Sequence, residues 1–249
     1  MTETKTVTAA MLAIGDELLS GRTKDKNIGF LAENLTLAGI DLKEVRIVPD
    51  EEEEIVTALN ALRARYTHVF TSGGIGPTHD DITADAISKA FGRTCIHNDE
   101  AMARLAAMYE RRGIEFTAAR QRMARMPEGA ALIDNPVSTA PGFIVENVYV
   151  MAGVPKVFEA MVGNVLPTLE GGTPVISRAI ECSFGEGDIA TPLADIQKAH
   201  PDTSIGSYPH FAGSGFSTQL VVRGRRESEV EKAAADITAM LDALAAAKA

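Results

Sequence analysis

The sequence predicts an α/β protein: a parallel sheet covered by helices, followed by a smaller α+β segment with an antiparallel sheet. Three observations carry this. From Thr8 onward, short apolar runs alternate with segments of helical period, the pattern of strands joined by crossover helices. The third such run opens into a glycine-rich loop at residues 73–81. After Gly171, Gly172, Thr173 and Pro174 the order changes to strand, helix, strand, strand, helix.

The first strand is predicted at residues 8–14. A helix follows from about Asn27, with Ile28, Leu31 and Leu35 on one face and Gly39 as its stop. A second strand at residues 42–48 runs into Asp50 and four glutamates, then Ile55, Leu59 and Leu62 at helical spacing. Glutamates at a helix start are dipole partners on a solvated face, so Glu51, Glu52, Glu53 and Glu54 carry no catalytic weight. The third strand, residues 68–72, leads through the glycine loop into a helix bearing Ile82, Ala86, Ile87 and Ala90, closed by Gly92. Two more helices are predicted at residues 99–112 and 118–125, a strand pair at 143–150 and a helix at 155–169. Met102, Met123 and Met161 read as core packing.

The glycine- and proline-containing run at 171–174 marks a boundary between residues 1–171 and 175–249. Beyond it we predict strand 175–184, helix 188–199, strands 203–208 and 216–223, and helix 228–247.

The chain has 249 residues, 45% of them hydrophobic, enough for a substantial core. Its two cysteines, Cys95 and Cys182, lie far apart, which gives neither a disulfide framework nor a zinc site. The start of the chain, with Glu3, Lys5 and Thr8, is too polar for a signal peptide, and no stretch approaches a membrane span. A cytoplasmic protein without a membrane partner is expected. The formal net charge of -10 and the absence of tryptophan argue against nucleic acid as a partner. Any bound phosphate must then be held locally, by backbone N–H groups, a few cations or a metal.

The run TSGGIGPTHDD at residues 71–81 joins a buried strand to a helix. Glycines there let backbone amides approach an anion, and loops at the carboxyl ends of parallel strands are where ligands bind. Gly74 and Gly76 lack the third glycine of a dinucleotide fingerprint, and no Gly-Lys-Ser/Thr follows as in a P-loop. The alternative is a tight turn in which Asp80 or Asp81 caps the next helix. Gly15 is likewise followed by Asp16 and Glu17. If strands one and three are neighbours, Asp16, Glu17, Asp80 and Asp81 meet at one sheet edge. Clustered carboxylates call for a cation, and magnesium takes one or two carboxylates plus phosphate oxygens; plain helix-start acidity is the alternative for Asp16 and Glu17. The loops at residues 135–143 and 153–156 follow the same plan, the second placing Lys156 at a helix start. His79 lies within the glycine loop, as ligand contact or bystander. His97 and His200 read as loop or helix-end residues. His210 could reach a cleft, though surface exposure is expected.

The runs GDELLSG at 15–21 with Asn27, SGGIGPTHDDIT at 72–83, NPVSTAPGF at 135–143 and GVP at 153–155 resemble the N-terminal region of the CinA family, competence/damage-inducible protein A. That region belongs to the MoaB/MogA-like molybdopterin-binding superfamily. The resemblance covers nearly the whole chain, including the small α+β subdomain. It implies a three-layer α/β domain that binds a nucleotide or pterin diphosphate, usually as a homodimer. It further implies metal-dependent hydrolysis of ADP-ribose, or of FAD as in related eukaryotic FAD synthase domains. The MogA branch instead adenylylates molybdopterin.

Matched by position, Asp16, Glu17, Asp80 and Asp81 correspond to the family's acidic residues, and Gly73, Gly74, Gly76 and Thr78 to its anion loop. Gly142 and Lys156 lie in the other two loops, and Asn27 in the first motif. Ala152, Ser138, Lys26 and the off-register Glu159 depart from the pattern. Full CinA proteins also carry a deamidase domain, absent here, so no deamidase activity is expected. The function expected is cleavage of a dinucleotide pyrophosphate bond with release of AMP. Asp80 and Asp81 would hold magnesium, or manganese or cobalt, assisted by Asp16 or Glu17. Substrate contacts are expected from Asn27, Gly73, Gly74, Gly76, Thr78, Ser138, Gly142 and Lys156. Molybdopterin binding or adenylyl transfer is the alternative, and a non-catalytic nucleotide-binding module the second.

Overall fold

The structure, a computed structural model, describes residues 6–212 and 215–248, with side chains left out at 210–212, 215–217 and 248. Glu3, Lys5 and the His210 side chain therefore lie outside the described residues. The described residues form two compact units, divided between Gly172 and Thr173.

The large unit contains β1 (Val7–Ile14), a short helix α1 (Asp16–Leu19), α2 (Asn27–Leu37), β2 (Ile40–Val48), α3 (Glu52–Arg63), β3 (His68–Ser72) and α4 (Thr83–Ala90). There follow β4 (Cys95–His97), α5 (Asp99–Arg111), α6 (Ala118–Gln121), β5 (Arg125–Pro127), β6 (Ala131–Ile133), β7 (Gly142–Val145), β8 (Val148–Met151) and α7 (Pro155–Val165). The six-stranded sheet has the order β2-β1-β3-β8-β7-β6. Strands β2, β1, β3 and β8 run parallel, while β7 pairs antiparallel with β8 and β6 with β7.

The alternation within β1 builds both faces. Ala10, Leu12 and Ile14 join a core with Ile55 and Leu59 of α3, Ile87 of α4 and Leu105 of α5. Val7, Ala9 and Met11 join an opposite core with Leu31 and Leu35 of α2 and Phe158 and Met161 of α7. Two helical layers therefore enclose one sheet, giving the three-layer, mostly parallel fold expected. Because β1 is covered on both faces, it reads as a continuous apolar run rather than an alternating one.

Local chemistry sets the helix limits. Gly39, at φ +74°, follows the end of α2 in the left-handed region that favours glycine. Asn98 caps α5 by accepting a hydrogen bond from the Ala101 amide at 3.0 Å. Glu52 and Glu53 in the first turn of α3 pair with Lys89, whose ammonium they push up to about 12. One expected helix is corrected. Residues 118–125 form a single α turn and then a 3-10 turn at Arg122–Ala124. Arg125 leaves helical geometry because Arg125–Pro127 pairs with β4, and Pro127 could not continue a helix. The short elements α1, β4, β5 and β6 carry too few residues to show a period.

The small unit contains β9 (Ile176–Cys182), α8 (Glu186–Ala199), β10 (Thr203–Ala212), β11 (Gly215–Gly224) and α9 (Glu227–Lys248). Its sheet is antiparallel, in the order β10-β11-β9. Cys182, Ile189, Leu220, Val222, Val230 and Ile237 form its core. His200, at the end of α8, bonds Asp236 at 2.7 Å. Among the described residues, no helix is long and apolar enough to cross a membrane.

Two outcomes follow. Gly142 is buried, and a Cβ there would fall on the Val150 carbonyl oxygen. Gly142→Ala should cost about 1–3 kcal/mol through overpacking, read as a lower Tm, and an unchanged melt would contradict it. A chain cut after Gly172 should keep a cooperative melt, because its two cores are complete without residues 173–249; loss of cooperativity would show that the units depend on one another.

Candidate functional site

Three chain segments meet at the carboxyl edge of the large sheet because β1 lies between β2 and β3. The pairing of Ala13 with both Ile47 and Ser72 brings the ends of all three strands level. The segments leaving them begin at Gly15, Pro49 and Gly73. A Cβ on Gly73, at φ +110°, would fall on the Ile14 carbonyl oxygen, and one on Gly74, at φ +69°, on the Thr83 hydroxyl. Only glycine fits either place. Thr83 then fastens the start of α4 to the loop, its hydroxyl donating to Gly73 O at 3.0 Å and its amide to Gly74 O at 3.0 Å.

The paired aspartates serve different ends. One Asp81 carboxylate oxygen accepts hydrogen bonds from the Thr78 amide at 2.7 Å and the Thr78 hydroxyl at 2.5 Å. It also lies where a Cβ on Gly76 would sit, 2.6 Å away. Asp81 thus closes the loop on itself, an arrangement that requires glycine at position 76. Arg122 supports it from outside, donating to the Asp81 carbonyl at 3.0 Å. Asp80 is exposed. His79 projects into solvent, with its side chain 99% exposed.

The loop amides divide in the same way. Gly73 N–H donates to Met151 O at 3.1 Å and Thr78 N–H to Asp81, so both serve the fold. The amides of Gly74, Ile75 and Gly76 make no hydrogen bond among the described residues. Consecutive free amides can bind an anion when they point to one side.

Facing the loop is an acidic cluster with a member that sequence reasoning missed. Asp50, just beyond β2, accepts a hydrogen bond from the Asp16 amide at 3.1 Å. Partial burial raises its carboxyl above the ordinary value; the carboxylates of Asp16, Glu17 and Asp80 raise it further, against the Asp16 hydrogen bond. Asp50 therefore feels Asp16, Glu17 and Asp80, whereas Asp81 is committed to the loop. Asp50 was hidden at the head of an acidic run that reads as a helix start; its place beyond a strand end was the available signal. Among the described residues, no three acidic, histidine or cysteine side chains converge tightly enough to enclose a metal ion alone.

Beside the cluster, a cleft is lined by Glu17, Thr23, Lys24, Asp25, Lys26, Asn27, Ser72 and Gly153. Asn27 is buried and donates from Nδ2 to Ser72 Oγ at 2.7 Å and to Gly153 O at 2.9 Å, tying three segments together. Other expected contacts are not brought in. Lys156 is exposed in the first turn of α7 and makes no hydrogen bond or ion pair among the described residues. Ser138 is engaged by Asn135, whose Nδ2 donates to the Ser138 hydroxyl at 2.6 Å while Oδ1 accepts from the Val137 and Ser138 amides. Gly142 is a packing glycine under Val150 and Met161.

A family model described as a probable molybdopterin binding domain matches residues 10–171, and one described as the FAD synthase middle domain matches residues 174–248. A protein of Pyrobaculum arsenaticum is 40% identical over 210 residues, covering 81% of this chain and 79% of its own. A protein of Aeropyrum pernix is 33% identical over 244 residues, covering 94% and 91%. Among solved structures, the protein CinA of Thermoplasma acidophilum, described as of unknown function, superposes with a TM-score of 0.61 at 32% identity. That match covers 66% of this chain and 98% of the CinA chain. With the sheet topology, the glycine loop and these matches in agreement, the chain belongs to the molybdopterin-binding domain family, as a CinA-like member.

Proposed function

We propose that this protein is a metal-dependent hydrolase that splits the pyrophosphate bond of an adenine dinucleotide such as ADP-ribose or FAD, releasing AMP. The observation that carries the reading is one sheet edge holding opposite features: the Gly74, Ile75 and Gly76 amides for an anion, and the Asp16, Glu17, Asp50 and Asp80 carboxylates for a cation. A ligand that satisfies both is a phosphate carried with a divalent metal. The match of residues 174–248 to the FAD synthase middle domain supports a dinucleotide.

In this reading Asp50 and Asp80 hold magnesium, manganese or cobalt, with Asp16 or Glu17 beside them. When bound, such a cation neutralises phosphate charge and lowers the pKa of water. The loop amides fix one phosphate, and Asp81 keeps that loop in shape through Thr78. Water adds to one phosphorus and the bridging P–O bond breaks, giving AMP and a second phosphomonoester, each with one phosphate. A homodimeric cytoplasmic enzyme without nucleic-acid or membrane partners belongs to the same proposal.

The second reading is molybdopterin binding or adenylyl transfer, favoured by the match of residues 10–171 to a molybdopterin binding domain. The deciding assay offers ADP-ribose, NAD, FAD and ATP with each metal and follows AMP. AMP from a dinucleotide is expected. No AMP from any of them, with tight molybdopterin binding, would reverse the order, and nucleotide binding without turnover under any metal would leave a non-catalytic module.

Asp50 supplies a sharper test. Because its folded-state pKa is raised, the native state binds its proton more tightly than the unfolded chain does. The resulting stabilisation is complete below the ordinary pKa and is lost as pH rises through the raised value. Asp50→Asn should therefore raise the Tm of the metal-free protein at pH 7 and change it little at pH 3. The same variant should lower metal-dependent AMP release by about 10–100-fold or more. Melts at the two pH values and rates at pH 7 check both; full activity would remove Asp50 from the metal site.

A further inference from the structure

We propose that the outer edge of β2 is the contact surface for a second copy of this chain, the two strands running antiparallel about a twofold axis at Val45. The proposal rests on the homodimer of the reading above, whose surface it names, and not on the hydrolase chemistry.

β2 ends the six-stranded sheet, and among the described residues its strand partner is β1 alone. An edge strand presents unpaired backbone N–H and C=O groups, which proteins blunt with charge, with bulges or by covering the edge. β2 is blunted over one half. Its register with β1 jumps between Ala9 and Ala10, which makes Lys43 the extra residue of a bulge. From Glu44 to Val48 the pairing is regular. This stretch carries two exposed β-branched residues, Val45 at 37% and Ile47 at 41%. Val45 pairs with Met11, which belongs to the core shared with Leu31, Leu35 and Phe158. Val45 and Ile47 therefore lie on the side of the sheet that α2 and α7 cover, yet those helices leave both open to solvent.

The charges decide the occupant. In a twofold antiparallel pair, residues directly opposite share a face, so the axis passes through a residue that meets its own copy. An axis at Lys43, Glu44 or Arg46 sets like charge on like. One at Ile47 sets Glu44 against Asp50 and draws in Pro49, which has no N–H to give. With the axis at Val45, Glu44 faces Arg46 of the second copy, Arg46 faces its Glu44, and valine meets valine. Opposite charges and β-branched residues across from one another are favourable neighbours. Glu44 and Arg46 are already ordered within each chain. Arg46 Nε donates to Glu44 Oε1 at 2.7 Å, and the Tyr66 hydroxyl donates to Glu44 Oε2 at 2.7 Å. Ordered side chains lose less freedom on association. An unrelated extended peptide matches the backbone ladder; a second copy matches the ladder and both charges.

The test is sedimentation equilibrium of the full chain over a concentration series. The samples are the wild type, Val45→Lys and Val45→Glu, the variants singly and in equimolar mixture. Because residue 45 opposes its own copy, each variant alone sets like charges across the axis, while the mixture sets lysine against glutamate. The wild type should dimerise, with the weak affinity of a small interface. Each variant alone should dimerise at least about 10-fold more weakly, and the mixture should form heterodimers within about threefold of the wild-type affinity. A monomeric wild type, single variants that dimerise like the wild type, or a mixture as weak as its components would overturn the proposal. Should either variant fail to melt cooperatively, Glu44→Arg and Arg46→Glu take their place, since each alone repels itself and the two together restore both charge pairs. AMP release is not the readout. Dimerisation with this pattern and no turnover leaves the contact standing without the hydrolase, and turnover by a monomer leaves the hydrolase without the contact.

Discussion

The sheet edge that carries the candidate chemistry depends on β1 being paired on both sides by parallel strands. Its residues 9–13 are fully buried, so its position admits no slack. A one-residue slip would exchange the side chains facing the two cores, placing Leu12 where Met11 packs. The same pairing fixes where three chain segments leave the sheet. Asp16 and Glu17 follow β1, Asp50 follows β2, and the glycine loop follows β3. Neighbouring parallel strands lie about 4.8 Å apart, which makes these segments close without any direct attraction between them.

That closeness has an electrostatic cost, since the segments carry like charge. Asp50 registers it through a raised carboxyl, with three neighbouring carboxylates acting in the same direction. The backbone offsets part of it, as the Asp16 amide at the start of α1 donates to Asp50. Fixed dipoles of this kind reduce the repulsion without cancelling it, and a bound cation would complete the compensation. In a protein of net charge -10, phosphate is not drawn in by the surface at large. Under the proposed function, local groups would have to hold it, and the glycine loop offers amides without a partner among the described residues.

The loops are held by their own short polar residues. Asp81 bonds Thr78, Thr83 bonds Gly73, and Asn135 bonds the turn that follows it. Each such bond fixes backbone that has no ladder partner. This explains why residues that look like ligand contacts in a motif can be scaffold in space. Thr78 spends its amide and hydroxyl proton on Asp81, and Ser138 its amide on Asn135. Asn27 is likewise scaffold, bridging Ser72 and Gly153 from a buried position.

The long elements were legible because burial imposes a period. The helices with Leu31 and Leu35 or Ile55 and Leu59, and the strands at residues 8–14 and 68–72, follow from which residues avoid water. The same holds for the order of elements in the small unit. The glycine loop was legible too, since positive φ and close approach leave few residue choices. Short elements were not, because β4, β5 and β6 have three residues each and depend on partners rather than on a pattern of their own. The sequence by itself thus determined a helix-covered parallel sheet, its glycine loop and acidic residues near two strand ends. Only the tertiary structure decided that Asp50 joins Asp16, Glu17 and Asp80, that Asp81 turns inward, and that Gly142 packs under Val150. Those outcomes depend on strand order and on which hydrogen-bond partner lies within reach, distances across the fold that spacing along a chain does not contain.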